Sequence, residues 1–226
     1  MTGSRLFLAS VTAAGLVFAL APARSPIPAK TPFEELSMIL EVNATDGDAE
    51  IVTNTKAPDG LRELLIYFPK VRKPVMSFTT KDPIGQTHVR LESGEPDIDS
   101  VLAAFPEGNY EFNGTTVAGE KISGFATLSH HVLEAPTFVA PCDGCTVPPT
   151  GVVIEWLPVF GAAHFIVEIE NDDLAFNVTA KIDGSLTSFA IPDGLLQVDT
   201  EYDFGVASVS AEGNVVFTES TFVTSH

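Results

Sequence analysis

From residue 136 onward the chain falls into seven short runs, at 136–140, 152–157, 163–170, 175–182, 187–191, 200–209 and 214–223, with turn residues between them. Alternation of apolar and polar residues places one face of an extended chain in a core and the other in water, and such closely spaced turns leave no room for long helices. Seven strands in so short a stretch predict a Greek-key β-sandwich. Pro136 and Pro141 bracket the first run, which suits an edge strand opening a domain.

The preceding stretch is also strand-rich. Runs at 36–42, 49–55, 64–68, 75–80 and 87–91 read as short strands with turns between them. Leu61, Leu64, Leu65 and Phe68 also fit a helical stripe, but Ile66-Tyr67-Phe68-Pro69 is β-prone and favours a strand. One helix is predicted over 98–105, where Ile98, Val101, Leu102 and Phe105 form a stripe, Asp97 caps and Pro106 stops. Two longer strands, 109–117 and 121–131, follow with a tight turn at 118–120. The expected fold class is therefore all-β in the main. It comprises an N-terminal mainly-β domain over 34–132 with one short helix, and a sandwich over 133–226.

The second half resembles a fibronectin type III domain. The residues that carry the likeness are Trp156 in Val-Val-Ile-Glu-Trp, the run Phe165-Ile-Val-Glu-Ile, and Leu196 followed six residues later by Tyr202 in an alternating strand. The resemblance implies a seven-stranded, Ig-like sandwich with Trp156 in its core and Leu196 and Tyr202 forming the tyrosine corner. Phe165 stands where the family usually has tyrosine, and no Arg-Gly-Asp occurs, so adhesion roles of particular members do not transfer. The first half is similar to the leading part of secreted bacterial proteins of unassigned function, through Glu41–Ala49, Phe105–Phe112 and Ser123–His130. That similarity implies no activity.

Residues 1–23 read as a cleaved secretory signal: Arg5, an apolar run from Leu6 to Ala21, then Ala21-Pro22-Ala23. The run is short of the roughly 20 residues a membrane span needs. Cleavage near Ala23 would leave a secreted or periplasmic chain with no membrane insertion, beginning with a proline-rich extended arm at 24–33. The whole chain has 30 acidic and 12 basic residues, a formal charge of -18, which disfavours nucleic acid as a partner. The charge is uneven: beyond Val132 the single basic residue is Lys181. Such a surface suits a cationic partner, calcium, or solubility alone.

Chemistry-bearing motifs are sparse. Cys142-Asp-Gly-Cys145 sits in a loop with no helix after it, so in an exported chain it reads as a small structural disulfide rather than a redox pair. Asn43, Asp46, Asp48 and Glu50 space oxygen ligands as calcium prefers, yet they fall short of a full calcium loop, and a turn between strands favours the same residues. Glu168, Glu170, Asp172 and Asp173 read as a solvated strand end whose like charges a cation would relieve. The five histidines lack metal-ligand spacing, and neither a nucleophile elbow nor a phosphate-cradling glycine loop occurs. Asn-x-Thr sites occur at Asn43, Asn113 and Asn177.

These features point to an exported, non-catalytic binding or interaction protein with no catalytic residues, no cofactor beyond the calcium alternative, and a protein or polysaccharide partner. Two alternatives stand beside it. The sandwich is a structural spacer displaying the first domain, or the first domain assembles a hydrolase or redox site from scattered residues.

Overall fold

The computed structural model describes residues 33–226. The leader expected at 1–23, and all but the last residue of the arm expected at 24–33, lie outside the described residues.

The first half contains β1 (Glu35–Asn43), β2 (Asp48–Tyr67), β3 (Pro74–Thr79), β4 (Gln86–Glu92), α1 (Ile98–Ala104), β5 (Gly108–Thr116) and β6 (Lys121–Leu128). The runs expected at 49–55 and 64–68 are one strand of 20 residues, so the turn expected between them is absent. The first part of β2 pairs with β1 and β4, and the second with β3 and β5, with register shifts between Lys56 and Leu61 and between Leu61 and Glu63. Pro58 supplies no N–H to a ladder, and Gly60 leaves room for a close approach, since a Cβ there would lie 1.9 Å from the carbonyl oxygen of Ile84. These residues bend the strand without ending it, because partners continue on both sides. Leu64 and Ile66 are buried two residues apart, as in a strand, and Leu61 is buried on the other side of the register shift before Glu63.

The sheet folds over its own core. Met38, Leu40, Ile51, Leu64, Tyr110 and Phe112 lie inside it, and Gly124 of β6 sits so close to β1 that a Cβ would meet Leu36 at 2.7 Å. Asp97 caps α1, its Oδ1 accepting from the Ser100 N–H at 3.0 Å, while Val101 buries against the core.

The second half contains β7 (Phe138–Ala140), β8 (Cys145–Val147), β9 (Val153–Trp156), β10 (His164–Asn171), β11 (Phe176–Asp183), β12 (Ser188–Ala190), β13 (Glu201–Val209) and β14 (Val215–Thr224). One sheet has the order β12-β9-β7 and faces β11-β10-β13-β14, to whose last strand β8 adds in parallel. Three strands against four is an Ig-like sandwich. All seven expected runs hold a strand, and β8 is an eighth that three residues without periodicity did not announce. Phe165, Val167, Ile169, Phe204, Val206 and Phe222 fill the space between the sheets.

The halves share more than a connecting segment. β1 pairs in parallel with β14 through Glu41–Val215, Val42–Val216 and Asn43–Phe217, giving one path β11-β10-β13-β14-β1-β2-β5-β6. Buried Asn214 staples the joint: its Oδ1 accepts from the Leu40 N–H at 3.0 Å, and its Nδ2 donates to the carbonyls of Ser129 and His131, both at 2.8 Å. Two cores thus sit on one continuous sheet.

Candidate functional site: an acidic groove at the junction

Strand alternation decides what the shared sheet shows to its outer side. On β10, Phe165, Val167 and Ile169 point into the core, so Ile166, Glu168 and Glu170 face out. By register, Asp203, Gly205 and Ala207 of β13 and Val215, Phe217 and Glu219 of β14 share that outer face, and Glu41 joins them across the parallel pair. Ala207, Val209 and Val215 form a small apolar cluster with Ile39, Ile166 and Phe217. This is the floor of a groove of about 1010 Å³.

Six carboxylates line the groove: Glu41, Asp143, Glu168, Glu170, Asp203 and Glu219. Among the described residues no lysine or arginine lines it. Lys181 stands outside the lining, opposite Ile166 on β11. Burial pushes the Glu41 carboxyl above its ordinary range. Arg90 opposes that shift, while Glu92, Glu95 and Glu168 reinforce it. Glu219 is raised the same way, chiefly by burial. The Asn43 amide, donating to its Oε2 at 3.1 Å, opposes the rise, and Asp46, Glu170 and Asp203 add to it. Carboxylates from both halves therefore repel one another across the joint, and a cation seated between them would relieve that repulsion.

Glu50 lies directly opposite Glu41 on β2. It is only 9% exposed, and its Oε2 has no hydrogen-bond partner among the described residues. Its carboxyl is pushed up to about 7, first by burial, then by Glu41, Glu92 and Glu95, against the opposing pull of Arg90. With Glu41, Asn43, Asp48, Glu95 and Phe217 it lines a second cavity of about 110 Å³, which shares Glu41 and Phe217 with the groove.

Of the expected calcium ligands, Asn43, Asp48 and Glu50 line the small cavity and Asp46 does not. Asn43 Oδ1 is taken by the backbone N–H groups of Thr45 and Asp46, making the β1–β2 turn, and its Nδ2 donates to Asp46 Oδ2 at 3.3 Å and to Glu219. Asp46 is thus held in the turn, while Asn43 belongs both to that turn and to the cavity wall. Among the described residues no group of three or more His, Cys, Asp or Glu is arranged to hold a metal ion.

Cys142 and Cys145 form a disulfide with Cα atoms 5.3 Å apart. The turn it closes holds Asp143 on the groove rim, where Oδ1 accepts from the Ser220 hydroxyl at 3.0 Å and from the Thr221 N–H at 3.4 Å. Trp156 and Leu196 lie in the sandwich core, Trp156 against Phe165 with ring centroids 5.1 Å apart. The hydroxyl of buried Tyr202 accepts from the Gln197 N–H at 2.9 Å, a tyrosine corner. Among the histidines, His130 bonds the Phe105 carbonyl, His131 pairs with Glu212, and His226 with Asp199, so they are dispersed. Of the groove's acids, Glu168 and Glu170 stood out in the sequence as a cation-relieving pair. Glu41, Asp203 and Glu219 did not, because only inter-strand register brings them to the same face.

No protein-family model matches the chain, and no curated protein matches it in sequence. Among solved structures it is similar to the FN1-FN3 domains of chicken CNTN1, at 10% identity and a TM-score of 0.37 over 87% of this chain. The chain spans 65% of that structure's length, just under two thirds. It is also similar to the human OSCAR ligand-binding domain, at 12% identity and a TM-score of 0.29, covering 83% of this chain and 97% of that one.

Proposed function

We propose that the chain is an exported, non-catalytic binding protein, and that it uses the junction groove to hold a basic, partly apolar segment of a protein partner. The carrying observation is the groove itself: among the described residues, six carboxylates and no lysine or arginine around an apolar floor. Complementary charge speeds encounter and selects the partner, while an apolar floor supplies the burial that a bare ionic contact lacks. The groove takes Glu41 and Thr45 from the first half and its other lining residues from the second, which supports a binding role over the spacer alternative.

The test is a titration of the chain without its first 23 residues against a fluorescent peptide of alternating lysine and leucine, with a glutamate–leucine peptide as control. Saturable binding of the basic peptide alone is expected, weakened by salt and lost in a Glu168→Lys/Glu170→Lys variant that keeps its fold. Equal binding of both peptides, or indifference to the charge reversal, overturns the reading.

A further inference from the structure

The small cavity beside the groove asks for a more specific occupant than a general positive charge. Glu50, one of its lining residues, is nine-tenths buried, and its Oε2 has no donor among the described residues. A buried carboxylate oxygen without a donor is costly, and a structure keeps one where a donor arrives from outside or where the group serves a ligand. The other walls carry the carboxylates of Glu41, Asp48 and Glu95, the Asn43 amide and the Phe217 ring.

We infer that this cavity is a seat for one lysine ammonium of the partner segment, with Glu50 among its acceptors. The inference rests on the groove reading and names the anchor within it. An ammonium carries three donors on a compact head, which suits several oxygens around a small space, whereas a planar guanidinium is broader. Phe217 lines the cavity as an aromatic wall, which suits the methylenes of a lysine and is of no use to a hydrated metal ion. The cavity has about a tenth of the groove's volume and shares Glu41 and Phe217 with it. A side chain entering the cavity therefore belongs to a backbone lying in the groove. The raised Glu50 carboxyl fits the same arrangement: Glu41 faces it from β1, Arg90 and Glu92 from β4, and Glu95 from the segment after β4, so the one nearby cation is Arg90, already paired with Glu92.

The experiment is a cycle between peptide and protein, using a peptide with one lysine among leucine and arginine, its lysine→norleucine and lysine→arginine counterparts, and the Glu50→Gln variant. In the unaltered protein, losing the lysine should weaken binding about tenfold or more, and arginine should not restore it. In Glu50→Gln, which keeps shape and removes charge, the three peptides should bind nearly alike. Peptide binding should also lower the Glu50 titration midpoint, followed by the carboxyl carbon signal, by about one pH unit or more. Equal affinities for lysine and norleucine peptides, with Glu168→Lys/Glu170→Lys still disruptive, overturn the seat and leave the groove. A persistent coupling of lysine to Glu50 that ignores the Glu168/Glu170 reversal keeps the seat and overturns the groove. Saturation by n-butylamine at the peptide's own affinity assigns the seat to free amines and overturns the peptide source.

Discussion

Glu50 is a carboxyl that the folded state holds more firmly in its protonated form than the unfolded chain does. Its neighbours are Glu41 from β1, Asp48 beside it on β2, and Arg90, Glu92 and Glu95 from β4 and beyond, so acids outnumber the one cation. The sign follows directly. The native state binds the extra proton between the ordinary value of 4.5 and about 7, so folding stability falls as pH rises through that window and stays low above it. Glu41 and Glu219, raised in the same direction, add to the trend. Glu50→Gln is expected to flatten the decline and to stabilise the protein at pH 8 by roughly 2–3 kcal/mol, read from urea midpoints across pH. A variant whose stability follows the same pH profile as the parent would contradict this account. The cost carried by Glu50 is what stability gives up when a polar group is held ready for a ligand.

At the scale of elements, β2 shows how a strand continues through residues that usually end one. Gly60 approaches the Ile84 carbonyl so closely that a methyl group would overlap it. Gly60→Ala should therefore cost about 2–4 kcal/mol in chemical unfolding. Gly94→Ala, with nothing within 4 Å of the new atom, should stay within about 0.5 kcal/mol. The same residues explain what could and could not be read from the chain. The β-prone composition of 49–55 and 64–68 is local and was legible, as were α1 with its Asp97 cap and the seven sandwich runs. That the two β2 runs are one strand was not, because Lys56-Ala57-Pro58-Asp59-Gly60 carries a turn's composition, and only pairing with β3, β4 and β5 overrides it. β8 was missed for a similar reason: three residues have no period, and β14 supplies the pairing. The groove was half legible. Glu168 and Glu170 alternate along one strand, whereas Glu41 and Glu219 belong together only through a parallel register formed across more than 170 residues.

For the whole molecule, the joint between the halves is the part that local reading does not reach. Asn214 satisfies one backbone donor and two backbone acceptors from the first half and the segment after it, all while buried. Asn214→Leu leaves those three groups without partners and is expected to cost roughly 2–5 kcal/mol. It should also separate the unfolding of the two halves, so that calorimetry shows two transitions where the parent shows one. A single transition at an unchanged temperature would mean that the β1–β14 ladder alone holds the joint. That ladder also bears on the order in which the chain is made. During synthesis β1 and β2 leave the ribosome long before β14 exists, and closing so distant a contact is slow. Until the final strand arrives, the flank of β1 is an unpaired edge open to other chains. A nascent chain stalled before Val215 should therefore expose a sticky strand that the finished protein hides, making it a preferred target for chaperones that guard unfinished sheets.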